Sequence, residues 1–256
     1  MLRSIYTSVS SMIALENKQN TITNNMSNST TTGYKAEDLL TKSFKEVMIQ
    51  NKDKIQGKRN VTQKLGTISL GTKIDTVYNK FTQGNLQQTN RTWDFGINGR
   101  GFIAVQAGNQ EVYTRDGNFA VANDGYLVTT TGDRVLGINN VTGAKEPIFV
   151  GNSQFTLDED KNVVINGQAT SKLLTADFED YQSLQKMGDN YYTGQNPIYN
   201  AQVDVRQGYL EASNVNVTDE MVDMISVMRN FETNQKVLTM LDETLSKTAN
   251  EVGSVR

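Results

Sequence analysis

The chain has 256 residues, 37% of them apolar, and a net charge of −3, which suits one or two soluble domains with tails. It contains no cysteine and no histidine, which excludes disulfides, Ser-His-Asp and Cys-His catalysis and the usual zinc sites. No apolar run approaches the roughly 18 residues of a membrane span. We therefore expect no membrane span, no cofactor and no enzymatic activity.

Residues 2 to 26 carry apolar side chains on roughly one side of a predicted helix. The positions are Leu2, Ile5, Val9, Met12, Ile13, Leu15, Ile22 and Met26. From Asn17 to Thr32 the side chains are mostly amides and hydroxyls that favour caps and turns, so packing must hold this helix. Ordering its backbone costs more than these apolar side chains return, which predicts frayed ends in the free monomer.

Residues 36 to 76 form a separate extended or hairpin segment with a locally basic stretch between residues 42 and 64. Its basic residues are Lys42, Lys45, Lys52, Lys54, Lys58, Arg59 and Lys64, against Glu46 and Asp53, for a net charge of +5. A nucleic-acid surface would interleave aromatic side chains, and only Phe44 is present. We expect a solvated or partner-facing segment and no nucleic-acid partner.

Residues 77 to 205 alternate short β-rich runs with turn dipeptides. The predicted strands are 102–105, 112–114, 119–121, 126–129, 135–138, 163–165 and 173–178. The turns at Asp116-Gly117, Asp124-Gly125 and Gly132-Asp133 follow one another at eight-residue intervals, and Asn166-Gly167 is a further turn. This pattern predicts an antiparallel meander or small barrel with one solvent-exposed face.

Residues 206 to 256 contain a connector and a second amphipathic helix, with Thr218 as its N-cap and Gly253 as its stop. A heptad position recurs at Met224, Phe231, Leu238, Leu245 and Val252, and we place Met221 and Met228 on the neighbouring position of the same stripe. Val237, Met240 and Leu241 widen the apolar face, which indicates more than one neighbouring helix.

The chain is therefore predicted to be α+β, with its two terminal helices pairing as a coiled-coil-like domain and an all-β domain inserted between them. The predicted boundaries are 1–35, 36–76, 77–205 and 206–256. The predicted assembly interface consists of Ile5, Val9, Met12, Ile13, Ile22, Met26, Met221, Met224, Ile225, Met228, Phe231, Leu238, Leu241 and Leu245.

Candidate chemical motifs favour structural interpretations. The segment from Gly99 to Ala104 fits a G-x-G-x-x-A phosphate loop, but a strand-like run follows where a phosphate loop needs a helix. Asp116 precedes Gly117 between strands, which is first a turn signal. A carboxylate-based enzyme on the β module and a secreted adhesin with coiled tails remain as alternatives from other functional classes.

Three groups of motifs, in order along nearly the whole chain, resemble those of bacterial flagellar rod and hook proteins. The first ends the N-terminal helix and comprises Asn24, Asn25, Asn28, Thr32, Gly33, Tyr34 and Lys35, with Ser27 replacing the usual Ala. The second includes residues 83–86, 97–102 and 113–119. The third includes Gly208, Leu210, Ser213, Asn214, Val215, Asn216 and Glu220, followed by residues 221–232, where Met228 and Phe231 replace the usual Gln and Tyr.

The resemblance implies a rod subunit, since the chain is short for a hook protein. The 50 or so residues between Lys35 and Trp93 resemble the rod-specific insertion of a distal rod protein, and a proximal rod protein is the alternative. The implied subunit polymerises into a helical tube that transmits torque and carries exported proteins. In that tube, terminal helices line the inner wall inside a β shell. The implied partners are copies of itself, other rod and hook proteins, the export apparatus, and surrounding ring or cell-wall components.

The resemblance also places the protein in the extracytoplasmic basal body, exported without a cleaved signal peptide. We expect the amides of Asn24, Asn25 and Asn28 to cap the helix end and bond the turn at Gly33, where a residue without Cβ adopts positive φ. We expect the basic segment to stiffen the tube by bridging neighbouring subunits.

Overall fold

The computed structural model describes residues 2–56, 59–151, 153–158, 160–199 and 203–252. Within these ranges the side chains of Leu2, residues 52–56 and 59–61, and Val252 are not described. The chain divides into two compact units. The helical unit comprises Met1–Met26, Glu37–Tyr78 and Val217–Arg256, and the sheet unit comprises Ser27–Ala36 and Asn79–Asn216. The four predicted domain boundaries remain a prediction.

Two long helices confirm the predicted terminal helices. Helix α1 spans Leu2–Ser27, and α2 spans Val217–Lys247 and continues into a π-helical turn at Thr248–Val252. Asp219 and Glu220 in the first turn of α2 and Lys247 in its last turn have the charges that the helix dipole favours. In α1, Thr21 and Thr23 donate their hydroxyls to carbonyls four residues earlier, so these poor helix formers satisfy their polar groups within the helix.

The strands lie between the helices, together with a short 3-10 turn at Tyr181–Ser183. They are β1 (Glu37–Ser43), β2 (Val47–Gln56), β3 (Arg59–Ile68), β4 (Thr72–Asn79), β5 (Leu86–Gln88), β6 (Phe95–Asn98), β7 (Phe102–Ala107), β8 (Gln110–Thr114), β9 (Phe119–Val121), β10 (Leu127–Thr129), β11 (Arg134–Asn139), β12 (Lys145–Pro147), β13 (Phe155–Leu157), β14 (Asn162–Ile165), β15 (Gln168–Leu173), β16 (Thr175–Asp177), β17 (Gln185–Gly188), β18 (Tyr191–Thr193), β19 (Ile198–Tyr199), β20 (Asp204–Gln207) and β21 (Tyr209–Glu211).

The strands of the helical unit form two separate two-stranded sheets. Strand β1 pairs with β4, and β2 pairs with β3 as a long antiparallel hairpin whose register runs from Val47 opposite Ile68 to Gln56 opposite Arg59. The register shifts twice along β2, between Ile49 and Gln50 and between Asn51 and Lys54. A hairpin thus lies within residues 36 to 76, and the bounds and rod-specific role of that segment stay a prediction.

The sheet unit contains a large antiparallel sheet with the path β13-β14-β15-β11-β7-β8-β18-β17, to which β9, β10, β12, β16 and β19 add at the sides. Two smaller pairs, β5 with β21 and β6 with β20, bring the C-terminal connector against the strands that precede the large sheet. Among the described residues this path is open, so the predicted closed, barrel-like arrangement is not confirmed.

The central strand β7 has apolar residues buried on both faces. Ile103 packs into a cluster with Phe95 and Phe119, while Phe102, on the opposite face, packs into a second cluster with Phe178 and Tyr192. The predicted solvent-exposed face was therefore wrong for this strand. Its uninterrupted apolar run, Phe102 to Val105, is the pattern of a strand covered on both sides.

Candidate assembly surfaces and the motif junction

The covered side of α2 follows a regular heptad spacing, with successive steps of four and three residues. Its members are Glu220, Met224, Val227, Phe231, Asn234, Leu238, Leu241 and Leu245, of which Val227 is buried and the others are half-buried. The predicted first heptad position is therefore covered as far as Leu245. The second heptad position of the covered side is occupied by Val227, and not by the predicted Met221 and Met228.

Met221 and Met228 do not lie on the covered stripe, which corrects the sequence interpretation. Both are exposed, and Val227 takes the second heptad position. Residues three before or three after Met224 are equally compatible with an apolar seam, so the sequence alone did not fix its phase. Met221, Ile225 and Met228 instead form a second, exposed apolar stripe beside the first.

Helix α1 also has a covered and an exposed apolar side. Ile5, Met12 and Met26 are half-buried, and Ile22 is buried. Tyr6, Val9 and Ile13 follow i, i+3, i+7 spacing and are exposed, with Tyr6 at 72%. The predicted interface residues of α1 are thus divided between these two sides.

Two hydrogen bonds connect the helices within the helical unit. The Asn25 amide donates to Glu220 Oε1 at 2.9 Å, and the Asn234 amide donates to Ser11 Oγ at 3.1 Å. From Ser11 forward to Asn25 along α1, the contacted residues run backward along α2 from Asn234 to Glu220, over the same number of residues. The contacts therefore join α1 and α2 in an antiparallel sense.

The side chain of Asn25 also connects α1 to the first strand. It donates to the Glu37 carbonyl oxygen at 2.8 Å and accepts from the Glu37 N–H at 2.9 Å, and the residue is 2% exposed. The Asn25 carboxamide thus bonds both backbone groups of Glu37, as a residue of a neighbouring β-strand would. Asn24 is exposed, and the Asn28 carboxamide oxygen accepts from the Thr31 hydroxyl at 3.2 Å in the turn that follows α1.

The segment Ser27–Ala36 after α1, here called the motif turn, lies against the end of β8. Gly33 has φ of 67°, and a Cβ at this position would lie 2.4 Å from the backbone of Arg115 and Asp116. The Thr32 hydroxyl donates to Asp116 Oδ1 at 2.6 Å, and the Asn190 amide donates to the Thr32 carbonyl oxygen at 2.9 Å. The absence of a Cβ at Gly33 is what permits this approach.

Asp116 accepts hydrogen bonds from the motif turn and from its own loop. Its carboxylate accepts from the Asn118 N–H at 3.0 Å as well as from Thr32. Burial raises the pKa of the Asp116 carboxyl, although both hydrogen bonds oppose that shift. The predicted hairpin turn at Asp116-Gly117 is absent: the chain bends at Arg115, and β8 pairs with β7 and β18 while β9 pairs with β10.

The C-terminal motif contacts the motif turn and the segment that precedes β5. Asn214 Oδ1 accepts from the Ala36 N–H at 2.7 Å, and Asn214 Nδ2 donates to the Lys80 carbonyl oxygen at 2.7 Å. Leu210 is buried, Gly208 has φ of 78°, and Ser213 Oγ accepts from the Val215 N–H at 3.3 Å. Asn216, also in the predicted motif, is exposed.

A buried charge cluster, here called the charge junction, consists of Lys35, Arg115 and Glu211. The Lys35 amine donates to Glu211 Oε1 at 2.6 Å, and Arg115 Nη1 donates to Glu211 Oε2 at 3.2 Å. All three side chains are at most 1% exposed. Burial lowers the pKa of the Lys35 amine, against the attraction of Glu211.

The sequence interpretation singled out Lys35 but not Arg115 or Glu211. Both lie within recognised motifs, as Tyr113-Thr114-Arg115-Asp116 and Leu210-Glu211-Ala212. For Glu211, a charge between Leu210 and Ala212 was the available signal, whereas Arg115 lies between Thr114 and Asp116 and has no such signal. Their pairing depends on tertiary structure, since residues 35, 115 and 211 are far apart in the chain.

The basic segment is only partly described. Lys42, Lys45 and Lys64 are exposed. Lys58 lies outside the described residues, as do the side chains of Lys52, Lys54 and Arg59. The hairpin β2–β3 also exposes large apolar side chains, namely Val47, Met48, Ile49, Leu65 and Ile68.

The candidate chemical motifs form no catalytic site within the described ranges. Gly99 and Gly101 lie in the connection from β6 to β7, so no helix N-terminus follows them. A cleft of about 450 Å³ beside Trp93 has no carboxylate among its described lining residues, and no group of three acidic residues in the described chain has metal-binding geometry. None of the described helices combines the length and apolar character needed to cross a bilayer.

Comparison with known families assigns three parts of the chain. Residues 5–35 match the family described as "Flagella basal body rod protein", residues 96–171 match "Flagellar hook protein FlgE/F/G D1 domain", and residues 206–251 match "Flagellar basal body rod FlgEFG protein C-terminal". These ranges include the motif turn, the central strands with Arg115, and the C-terminal motif with α2.

Individual relatives are similar over nearly their whole length. The flagellar basal-body rod protein FlgG of Bacillus subtilis is 32% identical, with 98% of this chain and 99% of the relative covered. FlgF of Caulobacter vibrioides is also 32% identical, covering 98% of both chains, and the hook-basal body complex protein FlhO of Bacillus subtilis is 28% identical over the full length of both. Because identity above 30% extends over almost the entire sequence, this chain belongs to the flagellar basal-body rod protein family.

Proposed function

We propose that this chain is a structural subunit of the bacterial flagellar rod that polymerises into a helical tube through its terminal helices. The family membership supports the rod assignment, and rod proteins are structural subunits without enzymatic activity. The observation that carries the proposed mode of assembly is the pair of exposed apolar stripes, Tyr6, Val9 and Ile13 on α1 and Met221, Ile225 and Met228 on α2.

In this proposal the covered stripes of α1 and α2 pair within one subunit as an antiparallel coiled-coil-like element. The heptad spacing of the covered residues supports it, as do the hydrogen bonds from Asn25 to Glu220 and from Asn234 to Ser11. The exposed stripes then remain available for neighbouring subunits. This division explains why the apolar face of α2 is wider than a two-stranded coil requires.

The two exposed stripes favour an open polymer over a closed dimer. They differ in composition, since the stripe on α1 has an aromatic and β-branched residues and the stripe on α2 is rich in methionine. Contact between unlike surfaces is heterologous, and repetition of a heterologous contact generates a helical filament when the rotation does not close. The proposed torque-transmitting tube, through which flagellar proteins are exported, follows from such repetition.

Within the family, we propose the distal rod position. The long segment Glu37–Tyr78, with its β2–β3 hairpin, supports this choice, because it corresponds to the insertion that resembles the distal type. The relatives themselves do not separate the two types, since FlgG and FlgF relatives are both 32% identical. The proximal position is therefore the alternative within the same family.

Assembly into the basal body involves other rod and hook proteins of the family. We further propose export through the flagellar export apparatus without a cleaved signal peptide, and contacts with surrounding ring or cell-wall components. For the hairpin we propose a bridge between neighbouring subunits that stiffens the tube. Its exposed apolar side chains and the exposed Lys42, Lys45 and Lys64 support this role.

Substitution of Ile225 by Glu tests the assembly surface. Ile225 is 49% exposed in the monomer, so a carboxylate there is hydrated and the fold should survive. In a polymer contact the same carboxylate would be buried without a partner. We expect I225E to abolish polymerisation and motility in a strain that lacks the native subunit, while circular dichroism of the monomer remains unchanged.

The matched control is Ser226→Glu, which places the same charge on the next exposed position of α2. It should assemble normally, since Ser226 lies off the exposed apolar stripe. Normal tubes and motility from I225E would refute the proposed surface. Loss of assembly in both variants would show that added charge, and not this stripe, is responsible.

A further inference from the structure

The charge junction joins three parts of the sheet unit that are far apart in sequence. Lys35 belongs to the motif turn, Arg115 directly follows β8, and Glu211 ends β21. Within the described part of the chain, Glu211 is the one carboxylate paired with either cation. Two buried positive charges thus depend on a single negative charge that comes from the C-terminal part of the sequence.

The backbone and side chain of Glu211 supply further bonds to the same segments. Its carbonyl oxygen accepts from the Gly33 N–H at 2.7 Å, and its Oε1 accepts from the Gly84 N–H at 2.9 Å. The Lys35 amine also donates to the Thr82 carbonyl oxygen at 2.8 Å. Without the segment around Glu211, these N–H groups lose their acceptors while the two cations still face each other.

The electrostatic balance makes the junction unstable when Glu211 is absent. Each buried cation must lose its hydration, and only an opposite charge or good hydrogen bonds offset that loss. The Arg115 Nε has no hydrogen-bond partner among the described residues, so Arg115 depends on few contacts besides Glu211. The guanidinium also lies over the Phe102 ring at 5.2 Å, in the apolar interior.

We propose that docking of Glu211 completes the folding of the sheet unit: the motif turn, the segment before β5 and the end of β8 become ordered only after the C-terminal segment has docked. Until that segment has docked, these three parts of the chain stay unfolded. This property suits a protein that crosses an export channel before it folds, a link that rests on the proposed function. The docking step itself belongs to the isolated chain and does not require assembly.

The experiment compares hydrogen exchange in the full-length purified monomer and in the variants E211Q, K35M and E211Q/K35M. Gln keeps the size of Glu and can still accept hydrogen bonds, but it leaves two buried cations unbalanced. We expect exchange of amides in residues 33–36, 82–85 and 209–212 to accelerate in E211Q on the order of 10²-fold, the usual scale for breaking a buried ion pair. The double variant has one buried cation, so it should exchange more slowly than E211Q.

The control is Asp124→Asn, which removes an exposed ion pair with Arg134 in the same unit and should leave these amides at the wild-type rate. If E211Q fails to fold, recovery of the fold by the added K35M supports the proposed role of Glu211. Wild-type exchange in E211Q, or a double variant no better than E211Q, overturns it. Because all readouts come from monomers, these results are independent of whether Ile225 mediates assembly.

Discussion

At the scale of single residues, the motif turn is determined by how closely two backbones approach. Gly33 adopts a left-handed φ and touches the backbone of Arg115, which cannot move aside as a flexible side chain can. Gly84 is similarly placed, since a Cβ there would meet the Ala212 carbonyl oxygen. Both glycines bring motif segments into contact with residues far away in the sequence.

Gly33→Ala should therefore destabilise the chain beyond the ordinary cost of an Ala with positive φ. The matched control is Gly143→Ala, because Gly143 has nearly the same φ, 68°, with open space around its Cβ position. We expect G143A to lose about 1 kcal/mol and G33A to lose about 1 to 3 kcal/mol more from the clash. Urea unfolding of both variants measures the difference. Equal losses would mean that φ alone, and not the close approach, matters at Gly33.

Asp116→Asn should change how stability depends on pH. Burial raises the pKa of the Asp116 carboxyl above 3.8, so ionisation favours the unfolded chain, and stability from this group falls as pH rises from 3.8 through the folded pKa. Asn keeps an oxygen for Thr32 and Asn118 but does not ionise. The unfolding free energy of D116N relative to wild type should therefore increase with pH over that window and then level off. A relative decrease would contradict the assignment.

These residue-scale features were only partly accessible from the sequence. The Asp116-Gly117 pair wrongly indicated a hairpin turn, whereas Gly33 correctly indicated positive φ, because that signal is local. The charge junction was not predictable, because burial of Arg115 and Glu211 depends on strands that meet only in the folded chain. The turn at Gly33 can be identified from its own residues, whereas the partner of a buried charge can be identified only from the folded topology.

At the scale of elements, the helices were predictable in extent and the seam of α2 was not predictable in phase. Apolar periodicity located α1 and α2, but Met221 and Val227 are both plausible neighbours of Met224 in a heptad. The contact from Asn25 to Glu220 places Glu220, and with it Val227 and Asn234, on the covered side. A polar contact thus accompanies an apolar seam whose phase the sequence left ambiguous.

Asn25→Ala should loosen the contacts among α1, β1 and α2. The variant removes the acceptor of the Glu37 N–H and the donor to Glu220, leaving part-buried polar groups without these bonds. We expect a loss of about 1 to 3 kcal/mol in the free energy of unfolding, with faster exchange of the Glu37 amide. Asn20→Ala, at an exposed position of the same helix, should cost about 0.5 kcal/mol or less. Similar values for the two variants would refute the linking role of Asn25.

At the scale of the whole molecule, the described chain exposes apolar surface that a protein functioning as a monomer would cover. The hairpin β2–β3 is a two-stranded sheet, a structure that is marginal in water unless something packs on it. It nevertheless exposes Val47 and Ile68 at directly opposed positions. The α+β architecture and the hairpin segment followed from sequence patterns, but the exposure of these side chains could be seen only in the structure.

Excision of the hairpin tests whether it stiffens the proposed tube. Residues 46–69 would be replaced by a single Asn-Gly turn, which retains the bond from the Phe44 N–H to the Gly71 carbonyl oxygen at 3.0 Å and hence the connection between β1 and β4. If the hairpin covers its apolar side chains against a neighbouring subunit, its removal deletes a lateral contact at every subunit. We expect tubes that still form but bend more, seen as a shorter persistence length in electron micrographs.

A second variant keeps the hairpin and removes exposed charge by changing Lys42, Lys45 and Lys64 to Gln. Its tubes should retain most of the stiffness if apolar contact dominates. Unchanged bending after excision would exclude the hairpin as the stiffening element and leave the terminal helices to account for rigidity.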